Sequence, residues 1–466
     1  SIGCVLGRFS LYNTDLINIV PKLRISEDCR VGNLILFASE KEHVAGILKH
    51  DQMFCVGSVE NMSLGGYAVG VITKMRVYEA DIFCRVGELI LDASREEHVA
   101  AVLGKKKPFC VGRVKEITLK DYAVSILPKL RPHKDFEVEG LLVDASRNKH
   151  VAAVLKQDQT LCVGMFKNIN LKEYAVGILP KIRIRESFIV ERLSLYASRE
   201  EHVAAVVEQT NPFCVGRVRG MGFNGYAVRI LPKLRIHKDF AVERLWVDAS
   251  RNEHVAAVLK QDQVFFDGGL RSIWLKDYGV SILPELSHED CEVEYLRLHA
   301  KEKEHVAAVL EQEKTFRVGR LKRVEFREYA VSILSKLIIH EDCEVEELKL
   351  HALEEEQVSA VLAQEKTISV GRVKRMELRQ YAVSILPKLI IHEDNTMESF
   401  NVTTYGKKDL SRILAEGDSS IELGRIRQFG FHVPKEIRRK LRYTLVDGRG
   451  KEVGGERSSQ RGSRLE

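Results

Sequence analysis

Apolar residues follow a short pattern along this chain, apolar-x-x-apolar-x-apolar, in two alternating forms. Residues 114–119 (VKEITL) represent form A, and residues 138–143 (VEGLLV) represent form B. The step from an A motif to the next B motif is usually 24 residues, and from B to A it is usually 28. Such segments predict strands whose apolar positions one, four and six point inward, while positions three, five and seven point to solvent.

Seventeen copies of the motif occupy most of the chain, and each predicts one strand. The A motifs begin at Leu6, Val59, Val114, Phe166, Val218, Leu270, Leu321, Val373 and Ile426, and the B motifs begin at Val31, Val86, Val138, Val190, Val242, Val293, Val345 and Met397. Repetition at this period is typical of a tandem array of similar units.

The segments that follow the strands carry helical signals. Behind four of the eight B motifs a serine stands three residues before a glutamate, as Ser198 stands before Glu201, and this spacing predicts a capping box. The HVAAVL segment that comes next places Val151, Val154 and Leu155 on one helix face. A second apolar stripe follows each A motif. The sequence therefore predicts strand, short helix, strand, short helix, with right-handed crossovers between parallel strands.

The repeat is also visible as near-identity between distant segments. Two strings of 33 residues, beginning at Leu127 and Leu231, differ at five positions. One A unit and one B unit together make a repeat of about 52 residues, so each unit has the length of a leucine-rich repeat, 20 to 29 residues.

On these motifs the chain resembles the leucine-rich repeat family from Leu6 to about Leu441, and in particular its intracellular, helix-backed type, as in ribonuclease-inhibitor-like proteins and F-box adaptors. The resemblance implies an α/β leucine-rich-repeat solenoid, a right-handed horseshoe with a parallel β-sheet on the concave face and helices on the convex face. One position departs from the family. Where the family has a ladder of Asn or Cys, the A motifs have tyrosine, which cannot copy the contacts of asparagine.

The unbroken register predicts one elongated domain over residues 1–441, made of about seventeen units with the last ones acting as a cap. Residues 447–466 are polar and predict a disordered tail. The apolar runs are too short for a membrane span, and the net charge of +6 is mild for 466 residues. Because Ser1 lies only five residues before a strand motif, we expect the natural protein to be longer at its amino end.

The nine cysteines and most histidines occupy repeat positions. Cysteines of successive A motifs lie two strands apart, about 9.6 Å at ~4.8 Å per strand, which exceeds the ~7 Å that a disulfide spans. We therefore expect free thiols, a cytoplasmic location and no metal site. Because a repeat distributes like groups instead of gathering unlike groups in one pocket, we expect no enzymatic activity, no cofactor and no small-molecule substrate.

Position five of the strands gives the sharpest functional prediction. Trp246 and Trp274 are the two tryptophans of the chain, and both occupy this position on neighbouring strands, where a separation of ~4.8 Å would bring the indoles into contact. We expect Tyr196 and Tyr295 near them on the same face. Exposed aromatic pairs are typical of binding hot spots, whereas a shifted register would bury both rings in the core.

The sequence thus predicts a non-catalytic scaffold that holds a partner protein on its concave sheet. The predicted partner-binding residues are Trp246, Trp274, Tyr196, Tyr295, Leu142, Arg244, Asp248, Lys276 and Arg297. The family resemblance also permits the substrate-recognition arm of a ubiquitin-ligase adaptor or an innate-immune sensor.

An alternative of another class is nucleic-acid binding through the carboxy-terminal strands, which carry Lys322, Arg323, Lys374 and Arg375. A nucleic-acid groove favours one sign of charge throughout. Here position seven is basic on most A strands and acidic on several B strands, so the two signs alternate. We therefore expect nucleic acid to be the less favoured partner.

Overall fold

The computed structural model describes residues 5–23, 29–50, 52–54, 56–75, 85–111, 113–131, 138–157, 161–162, 166–184, 187–235, 242–260, 270–286, 292–340, 342–404, 406 and 410–453. Its contacts group the chain into two compact units, Ser1–Val242 and Glu243–Glu466. The single domain that the sequence predicts over residues 1–441 therefore includes parts of both units.

In the first unit, the described residues form nine parallel strands, each paired with the next along the chain. They are β1 (Val5–Tyr12), β2 (Arg30–Ala38), β3 (Ser58–Gly66), β4 (Arg85–Ala93), β5 (Arg113–Asp121), β6 (Val138–Ala145), β7 (Phe166–Glu173), β8 (Arg192–Ala197) and β9 (Gly220–Gly225).

The second unit repeats this arrangement with eight parallel strands in the part of the chain that the structure covers. They are β10 (Arg244–Ala249), β11 (Ser272–Asp277), β12 (Glu292–Ala300), β13 (Arg320–Glu328), β14 (Glu344–Ala352), β15 (Arg372–Gln380), β16 (Ser399–Thr403) and β17 (Phe431–His432). Repeating parallel strands joined by helices confirm the predicted α/β repeat class and fit a repeat solenoid.

Helices connect the strands, and those behind the A strands are 3-10 helices. They are Asp15–Leu23, Tyr67–Lys74, Tyr122–Lys129, Tyr174–Lys181, Tyr226–Lys233, Tyr278–Leu286, Tyr329–Ser335 and Tyr381–Lys388. Such length is uncommon for this helix type. Their middle residues are buried on every side, as residues 123–127 show, so packing rather than helix propensity holds them.

The helices behind the B strands are α-helices or a short 3-10 turn followed by one α-helical turn. They are Glu42–Lys49, Glu96–Val99 with Ala100–Leu103, Asn148–His150 with Ala152–Leu155, Glu200–His202 with Ala204–Val207, Asn252–Leu259, Glu304–Leu310, and Glu355–Val358 with Ser359–Leu362. The carboxy-terminal units add Ser411–Ala415, the 3-10 turn Gln428–Gly430, and Lys435–Arg438. None of the helices within the described ranges has both the length and the apolar character that crossing a membrane requires.

The core lies between the strands and the helices, as the motif predicts. Val114, Ile117 and Leu119, at positions one, four and six of β5, are at most 1% exposed. The side chains at positions three, five and seven lie on the opposite face, which we call the open face. The predicted register is therefore confirmed, and the two tryptophans do not enter the core.

The last motif departs from the predicted spacing. Ile426 pairs with Met397 in one sheet and Phe431 pairs with Phe400 in another, so the step between the paired positions is five residues along the later segment and three along the earlier one. The chain between them forms the 3-10 turn Gln428–Gly430, which contains Phe429. Phe429 is 90% exposed, so the prediction that it occupies a buried motif position is wrong.

Short strands form further ladders outside the main sheets. Two-residue strands pair as Phe109–Cys110 with Leu130–Arg131, Leu161–Cys162 with Ile182–Arg183, Phe316–Arg317 with Leu337–Ile338, and Ile368–Ser369 with Leu389–Ile390. A three-stranded parallel sheet is formed by Thr396–Met397, Ile421–Arg427 and Leu441–Val446 in the carboxy-terminal part of the second unit.

The first residues of the predicted tail return to the last strand. The amide of Asp447 donates to the carbonyl of Lys451 at 2.9 Å, and the amide of Val453 donates to the carbonyl of Leu445 at 2.9 Å. Residues 447–453 thus form a turn, and residues 454–466 lie outside the described part of the chain.

Candidate binding face

The two tryptophans meet on the open face of the second unit. Trp246 and Trp274 are direct register partners on β10 and β11. Their ring centroids lie 4.5 Å apart and the ring planes differ by 14°, so the indoles stack face to face. Trp246 is the more exposed of the two, with 42% of its surface accessible. Stacking follows from the strand spacing, because neighbouring side chains at one position stand about 4.8 Å apart.

Trp274 lies between two planar groups. Its other neighbour along position five is Arg297 on β12, whose guanidinium carbon lies 4.9 Å from the ring centroid. The indole Nε1 of Trp274 and the Nε of Arg297 are both buried without a hydrogen-bond partner. Cation–π contact compensates part of this cost. Trp274 therefore supports the stack, and Trp246 is the member that a partner can reach.

Glu325 on β13 holds the arginine in place. It lies 3.6 Å from the guanidinium of Arg297 and 2.5 Å from that of Arg327, and it accepts a hydrogen bond of 2.7 Å from the hydroxyl of Tyr295. Burial alone would raise the pKa of Glu325, but the Tyr295 hydroxyl and the two guanidinium groups lower it below its ordinary value. Burial, followed by the bond to Glu325, raises the pKa of Tyr295 to about 12. The carboxylate is charged at neutral pH and fixes three neighbours.

The flank of Trp246 carries charges of both signs. Lys276 on β11 binds Asp248 on β10 at 2.8 Å, and this hydrogen bond raises the pKa of the lysine. Arg244, two residues before Trp246, is exposed on the same face. The pairing of an A-strand lysine with a B-strand aspartate is the cross-strand contact that the alternating charges predict.

Two of the predicted partner-binding residues belong to the first unit. Leu142 occupies position five of β6, half-buried between Thr118 and Asn170. Tyr196 occupies position seven of β8 and is 39% exposed. The expectation that Tyr196 stands near the tryptophans stays a prediction. In the second unit, the structure brings together Trp246, Trp274, Tyr295, Arg244, Asp248, Lys276 and Arg297 on one open face.

Carboxylates at the ends of the A strands form a ladder of contacts to the following units, and the sequence reasoning missed it. The last residue of β5, Asp121, has a φ of 53°, and its carboxylate accepts bonds from the Ser146 hydroxyl at 2.6 Å and the Ser146 amide at 3.2 Å. His150 Nδ1 lies 2.9 Å from the same carboxylate. The residue before the tyrosine that follows each A motif is Asp, Glu, Gln or Gly in the repeats, and this regularity was the available signal.

The predicted capping boxes are wrong, because the serines bind other hydrogen-bond partners than the helix behind them. The hydroxyl of Ser198 donates to Glu173 at 2.9 Å, on the preceding strand, and not to the helix behind it. The helix start is capped instead by His202, whose Nδ1 lies 3.3 Å from the backbone nitrogen of Arg199. The same ring packs edge-on against Tyr174 at 4.5 Å. The repeating tyrosines and histidines thus serve the fold.

A second ladder consists of lysines, four of which end 3-10 helices, while Lys440 follows the α-helix Lys435–Arg438. The Nζ of Lys129, Lys181, Lys233, Lys388 and Lys440 each donates to a backbone carbonyl 24 residues earlier, at 2.6 to 2.9 Å. Most of these carbonyls lie just behind a B helix, where helical hydrogen bonding has ended. Among the described residues, no group of three or more His, Cys, Asp or Glu side chains converges as a metal site.

No family model, no curated protein and no solved structure matches this chain. The open face is therefore interpreted from its own residues.

Proposed function

We propose that this protein is a non-catalytic scaffold of the leucine-rich repeat type that binds a partner protein on its concave sheet. The observation that supports this function most directly is the stack of Trp246 on Trp274, which leaves a large aromatic surface in solvent. An exposed indole gains free energy when a partner covers it, and tryptophan is enriched among residues that dominate binding energy.

Preorganisation is the second support. Arg297 and Glu325 hold Trp274 from one side, and Trp246 rests on its other side. A partner therefore meets a ring that has little rotamer freedom left to lose, which lowers the entropic cost of association. The site is centred on Trp246 and Trp274, with Tyr295, Arg297 and Lys276 as its framework.

Nucleic-acid binding is the less favoured proposal, because two of the arginines on the carboxy-terminal strands, Arg375 and Arg379, already have acidic partners. Arg379 lies 2.5 Å from Glu377, and Arg375 lies 3.4 Å from Glu398. Phosphate binding would have to displace these pairs. Protein partners tolerate mixed charge on a binding face.

A cytoplasmic location remains part of the proposal. Cys214 and Cys343 carry free thiols, the first exposed and the second buried. Free thiols persist in a reducing compartment. The cysteines at positions 4, 55, 84 and 291 lie outside the described residues.

The test is the substitution Trp246→Ala in the full chain, combined with affinity purification under reducing conditions and a binary binding measurement with each purified candidate. We expect at least about 2 kcal/mol of lost affinity, roughly thirtyfold, for the genuine partner. The matched control is Phe37→Ala, since Phe37 is an aromatic side chain of similar exposure, 39%, on the open face of the first unit. Equal binding by wild type and Trp246→Ala for every partner would overturn the proposed function.

A further inference from the structure

The open faces of the two units differ in charge. In the second unit, positions three, five and seven of β10 to β16 carry eight basic and four acidic side chains. The basic ones are Arg244, Lys276, Arg297, Arg323, Arg327, Lys349, Arg375 and Arg379, and the acidic ones are Asp248, Glu325, Glu347 and Glu377.

The open face of the first unit is balanced. The same positions of β1 to β9 carry four basic and four acidic side chains, which are Arg8, Lys120, Lys172, Arg192, Glu88, Asp92, Glu116 and Asp144. The positive excess therefore belongs to the unit that carries the tryptophans.

The excess is greatest around the stack itself. On β10 to β13 the face has five basic side chains and two acidic ones, and both acidic ones are already neutralised: Asp248 by Lys276, and Glu325 by Arg327 and Arg297. Arg244 and Arg323 are exposed at position three on either side of this group. Arg323 also covers the ring of Tyr295, with 5.4 Å from its guanidinium carbon to the ring centroid.

We propose that the partner presents an acidic segment with one aromatic or large apolar side chain. This inference rests on the proposed function and specifies its partner. The apolar side chain covers the exposed face of Trp246, and carboxylates of the segment approach Arg244 and Arg323. Complementary charge of this kind accelerates association and selects among partners, while the aromatic contact supplies most of the affinity.

An extended nucleic acid fits this face less well than a peptide does. Its phosphates recur at every nucleotide, so they would also meet Asp248 and Glu325. An acidic peptide can place its few carboxylates at the exposed arginines and leave the sites opposite the two acidic residues uncharged.

The experiment selects short random peptides, displayed on phage, against the full chain, with removal of those that also bind the Trp246→Ala variant. Enriched peptides are then synthesised and their affinities measured by fluorescence polarisation. We expect peptides that combine acidic residues with an aromatic or large apolar residue. Their affinity should fall about tenfold or more, roughly 1.4 kcal/mol, for Arg244→Glu, because like charges then face each other.

The matched control is Arg192→Glu, which reverses an exposed arginine at the same strand position, position three of β8, on the balanced face. We expect it to leave peptide affinity unchanged. Replacing the acidic residues of the peptide by their amides, or its aromatic residue by alanine, should each weaken binding.

The outcomes separate this inference from the proposed function. Peptides that depend on Trp246 but are basic or uncharged would overturn the acidic partner and leave protein binding standing. No Trp246-dependent peptide would overturn both, and Trp246-dependent binding of a short oligouridylate with a steep loss at higher salt would then indicate nucleic acid.

Discussion

The open faces of the two units share one strand pattern and differ in the residues at position five. In the first unit this position holds mostly small or aliphatic side chains: Ser10, Ile35, Ser63, Ile90, Thr118, Leu142, Asn170, Ser194 and Gly222. In the second unit it holds Trp246, Trp274, Arg297, Glu325, Lys349, Glu377 and Asn401, and His432 lies opposite Asn401. Since the core positions are alike, the difference shows that the scaffold leaves the open face free to specialise.

The helix caps differ in the same comparison. His98, His150 and His202 cap helices of the first unit and His305 caps one of the second, whereas the last such helix of the second unit is capped by Gln357, whose Oε1 lies 2.7 Å from the amide nitrogen of Leu353. Glutamine makes the cap without a titratable group. The histidine caps and the glutamine cap therefore share one geometry and differ in their sensitivity to pH.

The largest effect on stability is expected at Glu325. Its side chain is 13% exposed and binds Tyr295, Arg297 and Arg327, so Glu325→Ala leaves the half-buried Tyr295 and Arg297 without this acceptor. We expect a loss of about 2 to 3 kcal/mol in the free energy of unfolding, measured by urea denaturation with tryptophan fluorescence, which reports the second unit.

Two substitutions control that measurement. Glu325→Gln keeps an acceptor and should cost less. Glu116→Ala removes an exposed carboxylate on the open face of the first unit and should change stability by less than about 0.5 kcal/mol. Equal costs at Glu325 and Glu116 would contradict a charged framework under the tryptophans.

The next largest effect on stability is expected at the carboxylate ladder. Asp121→Gly keeps the left-handed backbone and removes two accepted hydrogen bonds, so we expect a loss of about 1 to 2 kcal/mol, and Asp121→Ala should cost about 1 kcal/mol more. In the second unit, Asp277 Oδ1 is buried, makes no hydrogen bond and lies 3.5 Å from His305 Nδ1. We therefore expect Asp277→Gly to lower the free energy of unfolding by less than Asp121→Gly does. Hydrogen exchange of the backbone amides in the turns that follow the two strands would show this order, and the reverse order would refute the ladder.

Sequence reasoning found the repeats because core positions obey a strict spacing, and Trp246 and Trp274 followed from their shared position five. It did not find the ladder at Asp121. From the sequence alone, a carboxylate at this position looks like a solvated residue at the end of a strand. The structure shows that a positive φ turns it toward the next unit. The turn at Phe429 was equally hidden, because the apolar motif that begins at Ile426 still looks regular in the sequence. Both features depend on contacts between neighbouring strands, which no local sequence pattern encodes.

Acid should destabilise the helices that His98, His150 and His202 cap more than the helix that Gln357 caps. Burial lowers the pKa of His98, His150 and His202 below the ordinary value of 6.5, so the unfolded chain takes up protons more readily than the folded one. Stability is full above pH 6.5 and falls as the pH drops below it. Burial also raises the pKa of Asp92 and Asp144, which acts in the opposite direction at lower pH, so the window of interest is about pH 7.5 to 5.5.

His150→Gln, which copies the cap at Gln357, tests this difference. It should reduce the acid-dependent loss of protection in its own helix, Ala152–Leu155, when amide exchange is compared at the two pH values and corrected for the chemical exchange rate at each. Protection that falls equally in the variant and the wild type would remove the histidine from the explanation. Gln357→His should introduce acid sensitivity into Ser359–Leu362.

The smallest expected effect is a difference in fluorescence quenching between the two tryptophans, and it tests the open face most directly. Trp246 has one ring face against Trp274 and is 42% exposed, while Trp274 lies between Trp246 and the Arg297 guanidinium. In the free chain we expect acrylamide to quench Trp246, observed in Trp274→Phe, more strongly than Trp274, observed in Trp246→Phe. A bound acidic peptide should then protect Trp246 and leave the quenching of Trp274 nearly unchanged, because the partner covers only the outer ring. Equal quenching of both indoles would mean that the stack opens in solution, and the contrast between an aromatic face in the second unit and a plain one in the first would have to be argued from charge alone.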